Sequence, residues 1–159
     1  MKIELTPIGT IHTPFKTVEN MPIQPSGAKH VAGTIEIFPE YAEGLCDLEG
    51  FSHIYVIFHL HRSAGHKLKV IPFLDTVERG IFATRSPARP NPVGLSVAEI
   101  VSVKENIIEI RGVDMLDGSP VIDIKPYVPD FDECSEIRKG WFEGKAGNAP
   151  KTLSDGRFK

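Results

Sequence analysis

Residues 95–112, LSVAEIVSVKENIIEIRG, hold two apolar runs separated only by Lys104-Glu105-Asn106. Runs of this length and composition read as strands over 95–103 and 107–112, and so short a connection joins antiparallel neighbours as a hairpin. Further strands are expected outward from this pair. Residues 8–12 (IGTIH) and 31–38 (VAGTIEIF) qualify, the second alternating Ile35 and Ile37 with Thr34 and Glu36. So do 68–73 (LKVIPF) and 121–125 (VIDIK), while the denser run 53–60 (HIYVIFHL) suggests a strand buried on both faces. One helix is expected over 39–48, with Pro39 at its first position, acids in its first turn and Gly50 just past its end. Seven short strands and one short helix predict an all-β fold, a barrel or sandwich.

At 159 residues the chain suits one domain with a core that needs no staples. Its 41% hydrophobic and 25% charged residues match a globular average and exclude a disordered chain. No apolar run approaches the roughly 18 residues of a membrane span, and MKIELTPIGT lacks a signal-peptide core, so a cytoplasmic location is expected. Cys46 and Cys134 show no C-x-x-C spacing and read as buried or free thiols. The last thirty residues are polar and Gly-rich apart from Trp141 and Phe142, which marks a tail packed by those two aromatics, with a helical turn near 135–142.

The formal net charge of −3 conceals a segregation. Residues 59–89 carry six basic and two acidic side chains, whereas residues 1–58 carry three and seven. A local excess of this kind suits either a solvated surface or a polyanionic partner. Lys67, Lys69, Arg79 and Arg89 are its candidate phosphate contacts.

His59-Leu60-His61 places two imidazoles on one strand face, with His53 at the same parity, a spacing that zinc can use. Neither cysteine nor an acid lies at ligand spacing, and Arg62 and Lys67 flank the group, so no metal is expected. There is no G-x-S-x-G elbow, and no two glycines are separated by one residue, which removes the Rossmann fingerprint. Two stretches remain. RGIFATRSPARPNPVG (79–94) sets Arg85 and Arg89 on a proline frame that cannot be helix or central strand. DMLDGSPVIDIKPY (114–127) contains the tight turn Asp117-Gly118, and Asp123 lies among strand hydrophobes, where it faces solvent or meets a cation.

These two stretches, with IGTIHTPFK near the start, QPSG at 24–27 and LEGFSHIYVIFHLHR at 48–62, resemble the TrmO (TsaA-like) family of S-adenosylmethionine-dependent tRNA adenine N6-methyltransferases. The resemblance covers about residues 8–132 in unbroken order. It implies a single-sheet antiparallel β-barrel over 1–132, followed by a tail over 133–159, a homodimer with its cofactor pocket near the subunit interface, and no metal. The substrate it implies is threonylcarbamoyl-adenosine at position 37 of threonine tRNA. Longer members carry an extra C-terminal domain where this sequence has a tail of its own. By matching positions, Pro25, Ser26, Gly27, His61, Arg62, Arg85, Leu95, Asp114, Met115, Leu116 and Asp117 would hold S-adenosylmethionine. Arg85 could fork onto a carboxylate, and the backbone of 114–117 would grip the cofactor.

Methyl transfer to N6 needs positioning and help with a proton, and Asn91 with the Pro92 carbonyl is a candidate acceptor, by loose analogy with other adenine methyltransferases. Phe82 or Tyr127 could stack on a base, with core packing the more ordinary role for Phe82. Two other functions fit the same residues: an S-adenosylmethionine-binding regulatory module without transfer, and a metal-dependent hydrolase built on the histidines.

Overall fold

The computed structural model describes residues 1–155 and 157–158. Six strands close into an antiparallel barrel: β1 (Gly9–His12), β2 (Ala32–Ile37), β3 (His53–His59), β6 (Val93–Lys104), β7 (Ile107–Arg111) and β8 (Pro120–Pro126). Around the barrel the order is β1-β2-β7-β6-β3-β8, with β8 pairing back onto β1. Of the all-β alternatives the strands left open, the fold is the single-sheet antiparallel barrel that the family resemblance implied. Closure leaves no open edge, so the ladder satisfies the backbone and the interior can be largely hydrocarbon.

The 95–112 hairpin forms one corner. β6 pairs with β3 along Val93–Glu99 and with β7 along Glu99–Lys104, so one twelve-residue strand serves two neighbours. A register shift between Ile100 and Ser102 supplies the bend. The connection is Glu105-Asn106 alone, one residue shorter than the sequence suggested, because Lys104 still pairs with Ile107. Glu105 takes φ 53° to make so tight a turn, and Asn106 is tied to Ile37 by both its side-chain amide and its carbonyl at 2.8 Å. At the opposite end of β6, Gly94 lies under the Phe58 ring, and a Cβ there would stand 2.4 Å from it.

Three expectations are corrected. Of the 53–60 run, His53–His59 form β3, but only Ile54, Val56 and Phe58 point into the barrel, while His53, Tyr55 and Ile57 are half-buried outside. A single sheet has only one inner face to offer. The 39–48 segment is not an α-helix but a 3-10 stretch, Pro39–Leu45, followed by a second at Leu48–Gly50. It has no side-chain cap, and Asp47 breaks it in the left-handed region at φ 64°. The 68–73 run contributes only β4 (Lys69–Val70), paired with β5 (Arg79–Gly80) in a separate ribbon. Leu68 and Ile71 are exposed and Pro72 ends the run.

The chain's α-helical turn, α1 (Pro129–Asp132), follows β8. Beyond it, residues 140–142 and 146–151 make 3-10 turns, and the tail folds back across the 18–24 and 72–83 segments. Pro22 bridges Leu153, and Ser154 donates its N–H to the Met21 carbonyl at 2.9 Å. The Trp141 indole donates to the Ala83 carbonyl at 2.7 Å, and its ring stacks on Phe142 with centroids 3.8 Å apart. Asp75 fastens the same region, because Arg79 and Lys145 both reach its carboxylate at 2.8 Å and hold it well below the usual carboxylate range.

Candidate functional site

Antiparallel closure brings the end of β3, the start of β6, the β7–β8 loop and the β1–β2 connection to one end of the barrel. A two-lobed cavity opens there. An inner lobe of about 170 Å³ lies against Phe58, His61, Arg62, Asp114, Met115 and Ser119. A larger outer lobe of about 640 Å³ is walled by Gln24, Leu60, Phe73, Arg85, Trp141 and Phe142 among others. Val18, Met21, Pro87, Asp114, Ser154 and Phe158 belong to both, so the lobes are continuous.

The loops that build it are tied by side chains rather than by the sheet. Thr13 Oγ1 donates to the Met115 carbonyl at 2.9 Å, and the Asp117 carboxylate accepts the Thr13 N–H at 2.9 Å and pairs with Lys16 at 2.7 Å. Those contacts keep Asp117 below the ordinary carboxylate range, Lys16 foremost. Gly118 takes φ +75°, which lets the chain turn back into β8. The proline stretch is likewise self-bonded: Thr84 Oγ1 donates to the Ile81 carbonyl at 2.9 Å, and Ser63 Oγ to the Pro87 carbonyl at 2.8 Å.

Two titratable groups face the cavity with shifted affinity for protons. Burial pushes the Asp114 carboxyl from 3.8 up to about 6, against the opposing effects of the Ser96 hydroxyl, which donates to it at 2.7 Å, and the Arg85 charge. Burial, Arg62 and His59 lower the proton affinity of His61, so it is neutral at physiological pH. Ser119 Oγ donates to the Leu116 carbonyl at 2.7 Å and lies 3.3 Å from His61 Nδ1, which suits a proton on that nitrogen.

The structure brings His61, Arg62, Arg85, Asp114, Met115 and Leu116 to the cavity. Asp117 supports it from behind. Pro25, Ser26 and Gly27 form a 3-10 turn beside it, where Gln24 lines the wall and accepts from Arg85 at 2.8 Å, and a Cβ on Gly27 would meet the Pro150 carbonyl at 3.0 Å. Leu95 sits on the outer face of β6, 58% exposed, and does not line the cavity.

Asn91 is exposed and also lies off the cavity, its carbonyl accepting the Val93 N–H at 2.8 Å. The Pro92 carbonyl accepts from Leu60 N–H at 2.8 Å, so the acceptor envisaged there is already engaged in continuing the β3–β6 ladder. Of the candidate phosphate contacts, Lys67 and Lys69 are exposed. Arg79 is taken by Asp75, and Arg89 braces its own loop through the Ile81 and Thr84 carbonyls at 3.2 and 2.8 Å. Phe82 is 76% exposed, with Arg89 over its ring, so core packing is not its role. Asp123 is half-buried and pairs with Lys125 at 2.8 Å. Among the described residues no three His, Cys, Asp or Glu side chains are grouped as a metal site requires, and both cysteines are free and exposed.

Sequence reading missed the 18–24 segment, Phe73 and Ser119, and gave the tail no part in a site. The one available signal was Trp141, the chain's single tryptophan, in an otherwise polar tail.

Comparison with known proteins fits this architecture. The tRNA-methyltransferase O N-terminal domain family matches residues 10–133. An S-adenosyl-L-methionine-binding protein of Archaeoglobus fulgidus is 48% identical over 133 residues, 84% of this chain and 95% of that one. The mouse tRNA (adenine(37)-N6)-methyltransferase is 34% identical over 170 residues, covering 96% of this chain but only 39% of its own. The crystal structure of TrmO from Pseudomonas aeruginosa superposes with a TM-score of 0.75 at 35% identity, covering 89% of this chain and 63% of that one. By its sequence, its closed barrel and the span of these matches, the chain belongs to the TrmO family.

Proposed function

We propose that this protein binds S-adenosylmethionine in the two-lobed cavity and methylates N6 of threonylcarbamoyl-adenosine at position 37 of threonine tRNA. The observation that carries the reading is the convergence of His61, Arg62, Arg85 and Asp114 on one apolar cavity at the barrel end. Relatives named as S-adenosyl-L-methionine-binding proteins and as tRNA (adenine(37)-N6)-methyltransferases support it.

The residues fit the cofactor's chemistry. Its sulfonium supplies an activated methyl group, and a cation of that kind suits a cavity whose one lining acid is Asp114. Arg62 and Arg85 are placed to receive a carboxylate. Met21, Phe58, Leu60 and Phe73 line the cavity with hydrocarbon around Asp114, while Arg62 and Arg85 stand exposed at its rim. Transfer to N6 leaves that nitrogen with a proton to lose. His61, whose neutral form burial favours, is a group in the cavity that can take it.

Leu95 enters this reading through a second copy of the chain. Val93 and Leu95, both exposed on the outer face of β6, give an apolar surface that suits the homodimer, in which one protomer's Leu95 would approach its partner's cofactor. Lys67 and Lys69 would then carry tRNA phosphates, in a protein working in the cytoplasm.

Incubation with methyl-labelled S-adenosylmethionine and total tRNA tests the proposal. Label in a single nucleoside of threonine tRNA is expected. Cofactor binding with no transfer would favour the regulatory module instead.

A further inference from the structure

We infer that the C-terminal tail builds the acceptor's binding site: the outer lobe takes a purine nucleoside bearing an anionic group, and Arg138 and Lys139 of the tail receive the anion. The inference rests on the methyltransferase reading, and assigns a role to a segment outside the residues that the family matches.

Four observations carry it. The outer lobe, at about 640 Å³, is far larger than the inner one and is continuous with it through Asp114 and Met21, so a second molecule in it would lie beside whatever fills the inner lobe. Its walls are apolar, and the stacked Trp141–Phe142 pair gives one of them the flat aromatic surface that suits a base. Its charge is lopsided: Arg85, Arg138 and Lys139 line it against Asp114, the single acid among the described lining residues. Arg85 serves the cofactor's carboxylate in the methyltransferase reading, which leaves Arg138 and Lys139, neither of which forms an ion pair with the described residues.

The tail is also fixed rather than loosely laid on. Lys145 is anchored to Asp75, the Arg79 guanidinium lies 5.7 Å from the Trp141 ring centre, and the indole bonds to Ala83. A preorganised wall of this kind limits the ordering cost of binding. Two exposed cations at the rim of an apolar slot raise the local potential and favour a ligand with negative charge at its edge. The charge can come from a carboxylate on the base or from the nucleotide's own phosphate.

Trp141 is the only tryptophan, so its fluorescence reads occupancy of this lobe directly. The experiment titrates protein saturated with S-adenosylhomocysteine with adenosine, adenosine 5′-monophosphate and N6-threonylcarbamoyladenosine, in the wild type and in the double variant Arg138→Ala/Lys139→Ala. At least one anionic nucleoside should quench Trp141 with tenfold or greater affinity over adenosine, the responding compound naming the phosphate or the carboxylate as the anion. The double variant should lose that preference while its S-adenosylhomocysteine affinity stays within twofold.

Equal binding of all three nucleosides, absence of any quench, or a preference that survives in the double variant would overturn the inference. Failure of the wild type to bind S-adenosylhomocysteine would instead overturn the methyltransferase reading, which separates the two claims.

Discussion

Inside the barrel, twelve buried apolar side chains from Ile11 to Val121 form one cluster, broken on β6 by Ser96, whereas the cavity at its end sets an aspartate, a histidine and four cations against walls nearly as apolar. The contrast follows from how each region satisfies its backbone. In the barrel the closed ladder pairs the strands' N–H and C=O groups with one another, and the one inward hydroxyl, Ser96, serves Asp114 rather than the sheet. At the barrel end the ladder stops, and Thr13, Ser63, Thr84, Asp117 and Ser119 must tie the loops. Those ties hold Asp114 and His61 where water is scarce, and their proton affinities move accordingly. Stability and reactivity thus have separate addresses in one small fold.

Substitutions on either side of that boundary should behave differently. Ile35→Ala, in the fully buried interior, should destabilise the protein by about 2–5 kcal/mol, measured by denaturant unfolding. A loss below 1 kcal/mol would mean that the barrel does not depend on close packing. His61→Ala should leave the unfolding midpoint near its wild-type value but lower the methyl-transfer rate roughly 10²–10⁴-fold, the contribution usual for a positioned base. The matching change Asn91→Ala, off the cavity, should do neither, and single-turnover kinetics compares the two directly.

Gly94→Ala sits on the boundary itself, where the new methyl would meet the Phe58 ring. It should cost about 1–3 kcal/mol by overpacking and also weaken cofactor binding, since Phe58 floors the inner lobe.

The smallest effect expected is a pH dependence. With its carboxyl pushed up to about 6 from 3.8, ionised Asp114 opposes folding: nothing is lost below about pH 4, and stability falls as pH rises through that window to a constant deficit above it. Asp114→Asn should remove this fall. Cofactor binding should run in the opposite sense, because a bound sulfonium favours the carboxylate. Affinity should therefore rise between pH 5 and 7, and calorimetry on the Asn variant should show a shallower rise, the remainder being the loss of positive charge from His61. A wild-type affinity independent of pH would remove Asp114 from the cofactor's surroundings.

Much of the fold was legible in the sequence because strand signals are local. The alternation of Ile35 and Ile37 and the short connection after Lys104 each report a pairing partner or a face within a few residues. The misread segments lacked such a local arbiter: 39–48 carries helix-start residues but no cap, and 68–73 looks like a strand until Pro72 and its two-residue partner limit it. The site was partly legible through the resemblance, which named six residues that do line the cavity. Trp141 and Phe142 could not be placed there, since the contact that puts Trp141 at the wall spans 58 residues.

The sequence by itself determined an all-β chain, a rigid proline stretch bearing arginines, a tight turn at Asp117-Gly118 and membership of a family. Only the tertiary structure decided which of the cations are free. Arg79 and Arg89 are consumed by internal contacts, while Arg138 and Lys139, unremarkable in sequence, stand open over the cavity. The physical reason is that a residue's charge is written in its identity, but its availability depends on which distant groups the closed barrel and the returning tail bring within reach.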